Sequence, residues 1–171
     1  MTGRHASAAL AALSLAACAS EAHAPEVEVG APPAPYLAFS DDFRDYTRWD
    51  SRRIDGAAEG SHPAGPRTIY VKAPRGKGGA YPVGAIIVKE MNTADGKTFA
   101  MVKRGAGFNA TGARDWEWFE IVKGETGAPA IKWRGVGPPA GESYGGDAAG
   151  GCNACHAGAA AHDYVMSREL W

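Results

Sequence analysis

The sequence predicts an α+β fold, mainly an antiparallel β-sheet (a meander of about five strands) with a short helix at the N-terminal end and a short C-terminal helix carrying paired cysteines. Three observations predict it. Apolar, β-branched and aromatic residues cluster in five short runs between residues 67 and 134. The breaks between those runs are made of Gly, Pro, Asn and Asp, which is turn chemistry. The chain has 23 Gly and 11 Pro in 171 residues, a composition that favours turns over long helices.

The elements follow in order. Residues 41–53 are expected as a short amphipathic helix, because Phe43, Tyr46, Trp49 and Arg53 recur at spacings of three and four, with Ser40 or Asp41 as N-cap. Residues 55–66 are polar and rich in Gly and Pro, so a loop is expected. The strand candidates are Arg67–Lys72, Val83–Met91, Thr98–Arg104, Asp115–Lys123 and Ala130–Arg134. The turns between them are Pro74–Gly79, Asp95-Gly96, Gly105–Gly112 and Gly124–Gly127. Asp-Gly between two apolar runs is a strong hairpin signal. Successive strands without helical stretches between them pair antiparallel rather than through crossovers. Residues 138–151 are again Gly-rich, and Cys152–Leu170 reads as a short helix followed by a C-terminal piece.

Length and composition fit a single folded domain, since 45% of the residues are hydrophobic. The formal net charge is −1 and there is no basic run, so no nucleic-acid partner is expected. The N-terminus reads as an export signal over residues 1–17. Arg4 precedes an Ala/Leu run, Ala6 to Ala17, that falls short of the about 20 residues needed to cross a bilayer. Leu15-Ala16-Ala17-Cys18 resembles a bacterial lipobox, so Cys18 is the expected lipidation site; the competing reading is a plain signal peptide cleaved near Ala19. A lipid on Cys18 would tie the protein to the membrane by its anchor alone. Ala19 suits outer-membrane sorting. Residues 18–40, with Pro25, Pro32, Pro33 and Pro35, are expected to be an extended tether. The folded domain is then residues 41–171.

With Cys18 assigned to the lipid, two cysteines remain, in Cys152-Asn153-Ala154-Cys155-His156. Cys-x-x-Cys-His in an exported protein is the attachment pattern for a c-type haem. Two sulfurs three positions apart on a helical turn match two neighbouring vinyl groups of one porphyrin edge, and His156 is then placed to ligate the iron. Other chemistries compete. A thioredoxin-like pair wants a βαβ setting, and a structural disulfide leaves the adjacent histidine unexplained. Zinc wants more ligands, for which His162 is the nearest. For a sixth iron ligand the candidates are Met91, Met101, Met166, His62 and His162, and none stands out, so an open iron is expected.

Four segments resemble the cytochrome P-460 family, in order from about Asp41 to the C-terminus. They are Tyr81-Pro82-Val83-Gly84-Ala85-Ile86-Ile87-Val88-Lys89-Glu90, Met101-Val102-Lys103-Arg104, Asp115-Trp116-Glu117-Trp118-Phe119-Glu120, and Cys152 to His156 followed by His162-Asp163-Tyr164-Val165-Met166. The resemblance implies a mostly antiparallel β fold, a homodimer, a single covalent haem c near the C-terminus and an open distal side. It implies hydroxylamine oxidation towards nitrogen oxides in the periplasm, with electrons passed to a partner cytochrome. It also implies a bond between Lys89 and a haem meso carbon. The cytochrome c′-beta relatives on that fold lack the bond and bind nitric oxide instead. From the strand alone, Ala85, Ile87, Lys89 and Met91 share one face and Ile86, Val88 and Glu90 the other. Lys89 is therefore either snorkelling at the sheet's end or aimed into a pocket. Glu142 and Asp147 are the nearest carboxylates to the motif in sequence, and Glu142 is carried as a weak catalytic candidate. Phe43, Phe99 and Phe108 are candidates for a bulky distal wall. Three functions are weighed: small-nitrogen-compound oxidoreductase, nitric oxide binder, and simple electron carrier.

Overall fold

A computed structural model describes residues 34–56, 65–94, 96–142 and 151–171. Six strands run β1 (Asp50–Ile54), β2 (Arg67–Val71), β3 (Ile86–Met91), β4 (Thr98–Lys103), β5 (Trp116–Lys123) and β6 (Pro129–Gly135). They form one open sheet in chain order, and every neighbouring pair is antiparallel. The expected meander is present with one strand more than expected. At the β3–β4 turn a Cβ on Gly96 would come within 2.1 Å of the Met91 carbonyl oxygen, so only glycine fits there. Its neighbour Asp95 lies outside the described residues, as do residues 1–33, with Cys18.

The expected helix over residues 41–53 does not form. Two 3₁₀ turns, Ser40–Phe43 and Tyr46–Arg48, are followed directly by β1. The spacing of three in Phe43, Tyr46 and Trp49 suits a 3₁₀ turn as well as an α-helix. Asp42 caps the first of these turns: its carboxylate accepts the Phe39 N–H at 2.8 Å and the Tyr36 hydroxyl. Residues 50–54 then pair with β2. The tether also ends earlier than expected. Tyr36 N–H donates to the Arg104 carbonyl at 2.9 Å, and Ala38 is fully buried.

The sheet has two unlike faces, separated by strand alternation. One carries Ile86, Val88, Ala100, Val102, Phe119 and Ile121, and the segment with Ala38 and Phe43 packs on it. Phe43 meets Phe119 with ring centroids 5.5 Å apart. The buried Glu117 carboxylate accepts two bonds from Arg134, both at 2.7 Å, and Arg134 donates to the Ala38 carbonyl at 2.6 Å. The opposite face carries Ile69, Ile87, Met101, Trp116 and Trp118, and Val165 of the C-terminal segment packs there.

Candidate functional site

The C-terminal segment begins with α1 (Cys152–Ala157), which starts after Gly151 and ends at Gly158. Six residues form too short a helix to be stable alone. Asn153, between the two cysteines, holds it: its Oδ1 accepts from Asn109 Nδ2 at 2.7 Å, Ala113 N–H at 3.1 Å and Trp118 Nε1 at 3.0 Å. Its own Nδ2 donates to Asn109 Oδ1 at 2.9 Å. Gly112 is required by this packing, because a Cβ there would lie 2.2 Å from Asn153 Nδ2.

Beyond the helix, Asp163 and Tyr164 both take left-handed backbone conformations, with φ of 54° and 64°. Such a pair of non-glycine residues needs outside support. Asp163 supplies it by binding the sheet: its carboxylate accepts from Lys103 Nζ at 2.6 Å, Tyr81 N–H at 2.8 Å and Trp116 Nε1 at 3.3 Å. The bend brings the Tyr164 carbonyl to 2.6 Å from His156 Nδ1. Nδ1–H then donates to that oxygen, so Nε2 carries the lone pair. The His156 ring lies 4.4 Å from the Trp118 ring. Burial pushes its pKa down to about 4, with the charge of Lys89 adding to the shift, so the imidazole is neutral at ordinary pH.

Between this segment and the sheet lies a cavity of about 490 Å³. Cys152, Cys155, His156 and Lys89 all line it. Its apolar walls include Ile69, Ile87, Phe99, Met101 and Trp118, and Arg67 and Lys89 add cationic groups. Lys89 shares a face with Ile87, as alternation along β3 predicts, and of the two readings it takes the pocket-facing one. Burial lowers its pKa to about 8, and the neighbouring Arg67 charge acts in the same direction. Part of the Lys89 population is therefore a neutral, nucleophilic amine near pH 8.

Cys152 and Cys155 are not joined to each other or to another cysteine. Burial lifts the Cys152 thiol to about 11. A redox dithiol needs a readily formed thiolate, so this environment disfavours thiol–disulfide exchange. Among the described residues no three His, Cys, Asp or Glu side chains gather into a metal cage, which weakens the zinc reading. A haem iron asks for only one protein nitrogen, and the residues fit that group. An apolar cavity within the about 300–1,000 Å³ of cofactor pockets holds two half-buried thiols three residues apart and an oriented imidazole.

The remaining sequence candidates separate. Phe99, Met101 and Met166 line the cavity. Phe43 is in the core on the opposite face of the sheet, and Phe108 lies under the Arg104 guanidinium. Met91 is buried, and His162 is stacked on Trp171 with centroids 3.7 Å apart. Glu142 is not among the cavity-lining residues; it pairs with Lys132 at 3.1 Å and Lys97 at 3.8 Å. His62 and Asp147 lie outside the described residues. Sequence reasoning missed Arg67, Glu169 and Trp133 as lining residues. Arg67 had a readable signal, since it shares the parity of Ile69 and Val71 along one strand. No protein-family model, curated protein or solved structure matches the chain.

Proposed function

We propose that this chain is an exported, lipid-anchored, mono-haem c-type cytochrome of the cytochrome P-460 kind, with an open iron site that binds or oxidises small nitrogen compounds. Cys152 and Cys155 would hold the haem by thioethers, and His156 Nε2 would ligate its iron. The observation that carries the reading is the oriented His156, its Nδ1 fixed on the Tyr164 carbonyl, beside two unbonded thiols in one apolar cavity. The bound group would supply an iron centre for ligand binding and electron transfer.

The protein's own residues do the rest. Trp118 and Asn153 hold the imidazole and the cysteine helix against the sheet. Phe99, Ile87 and Met101 keep bulk water from the cavity's inner wall. Lys89 Nζ, in its neutral form, is able to accept a proton from a substrate such as hydroxylamine; a bond from it to a porphyrin edge would replace an N–H and a meso C–H and would need a two-electron oxidant from outside the protein. Hydroxylamine oxidation leads on this account, with a partner cytochrome as electron acceptor. Nitric oxide binding without turnover is the second reading: Glu169 is the one carboxylate among the described lining residues, and it is exposed. Electron carriage is the third, because Met101 and Met166 both line the cavity. The family's homodimer and the outer-membrane location are part of the same proposal.

The optical spectrum of dithionite-reduced protein, expressed with the haem-attachment machinery, tests it. A strongly red-shifted ferrous Soret band with an abnormal pyridine spectrum means a modified macrocycle and puts hydroxylamine oxidation first. An ordinary pyridine spectrum with a five-coordinate ferrous band that shifts under carbon monoxide puts nitric oxide binding first. A six-coordinate band indifferent to carbon monoxide indicates the electron carrier. Absence of haem absorbance overturns the proposal. Cys18→Ala should release the protein from membranes or leave it unprocessed; continued anchoring would remove the lipid assignment.

A further inference from the structure

Elsewhere in the described fold, buried cations have carboxylates. Buried Lys103 has Asp163 at 2.6 Å, and even the half-buried Arg134 has Glu117 at 2.7 Å. Arg67 differs. It is 5% exposed and lines the cavity. Its Nη1 donates to the backbone carbonyls of Gly56 at 3.0 Å and Gly65 at 3.2 Å, which fixes the guanidinium's orientation. Among the described residues its Nε and Nη2 have no protein acceptor and no carboxylate pairs with it. Lys89 stands close by, since Ile69, two residues along β2 from Arg67, is its cross-strand partner. A buried guanidinium without a counter-charge is costly, and burying a second cation beside it adds repulsion. The Nε–Nη2 edge is also the edge that takes a carboxylate or oxyanion through two parallel bonds.

We propose that Arg67 anchors an anion site in the cavity, built for a carboxylate or a small oxyanion. The anion has two sources. One is a propionate carboxylate of the haem, which rests on the function proposed above. The other is a free small anion, which does not.

The test uses the full chain expressed with the haem-attachment machinery, as wild type, Arg67→Gln and Arg67→Lys. Peptide mass first establishes whether residues 152–156 carry haem. The midpoint potential and a sodium formate titration, followed by melting temperature against a sodium chloride control, are then measured on each form. If a propionate is the anion, Arg67→Gln lowers the potential, because a cation beside a carboxylate favours the electron-rich state, and formate affects neither protein. If the anion is free, formate stabilises wild type saturably and binds Arg67→Gln roughly tenfold more weakly or worse. If no haem is attached, the haem reading fails and the formate titration alone decides. Equal potentials and equal formate responses in wild type and Arg67→Gln, with haem present, overturn the anion site and leave the haem reading standing. Arg67→Lys keeps the charge and loses the fork, so it should shift the same readouts part-way. It replaces Arg67→Gln if that variant does not fold, and an absence of any shift in it then overturns the site.

Discussion

The two faces of the one sheet are built on opposite plans. On the face covered by Ala38 and Phe43, apolar side chains interlock and the buried Glu117 is fully paired. On the face covered by the C-terminal segment, aromatic side chains surround a cavity, and Arg67 and Lys89 from the sheet line it together with the exposed Arg168. The same backbone ladder supports both, so the difference lies in what alternate residues carry. The first face is where stability is concentrated. The second holds open a space that packing alone would close, which is the expected sign of a binding face.

The comparison is broken most severely by emptying the closed face. Phe43→Ala should cost about 3–5 kcal/mol, measured by denaturant unfolding, because Phe43 is fully buried against Phe119. It should leave the ligand-binding properties of the cavity unchanged in the folded fraction. Next comes the tie between the C-terminal segment and the sheet. Asp163→Asn removes the charge that pairs with Lys103 and should cost roughly 2–4 kcal/mol. Amide exchange should quicken first in residues 151–171, and uniform quickening across the sheet would show that this segment is not a separate unit. Phe99→Ala, on the cavity side, should cost about half as much as Phe43→Ala, because Phe99 already borders open space. Equal costs for the two phenylalanines would mean that the cavity collapses in solution.

The smallest effect sharpens the contrast instead. In haem-free protein, Lys89 should react with an acylating reagent with a midpoint near pH 8, well below the ordinary lysine value of 10.5. Peptide mass after graded labelling reads this directly. The linkage has a definite sign. Between about pH 8 and 10.5 the unfolded chain binds a proton at Lys89 that the folded chain lacks, so stability rises with pH across that window. Below the folded value the penalty is present in full. Lys89→Met should abolish the slope, and an unchanged slope would assign it to another group.

Much of the sheet was legible because period-two alternation and turn residues are local properties. Strands β2, β4, β5 and β6 begin and end within a residue of where the sequence places them. The start of β3 is later by three residues, since Gly84 adopts φ of 88° and the Pro82 carbonyl accepts from Ala85 N–H in a turn. Strand β1 was not legible. Asp50-Ser51-Arg52-Arg53-Ile54 has little strand character of its own and exists by pairing with β2. In the candidate site, the cysteine–histidine motif follows from spacing, and alternation puts Lys89 on the face of Ile87 but leaves open whether its amine enters a pocket. The neighbours of the motif do not follow from spacing. Arg67 reaches the cavity through the β2–β3 register, and Tyr164 reaches His156 through two left-handed non-glycine residues that no propensity scale anticipates. Glu142 is close to the motif in sequence but is drawn to Lys132 on β6 and to Lys97 just before β4.

Asn153 has a wider consequence. A six-residue helix has no orientation of its own, so the direction in which Cys152, Cys155 and His156 project is borrowed from the loop that grips the residue between them. The two x positions of such a motif are usually regarded as spacers. Here the first of them works as a keyway: Asn109, Ala113 and Trp118 receive one side chain and thereby set the roll of all three functional groups at once. The motif is thus not portable by itself. A graft into another sheet would have to bring residues 109–118 with it.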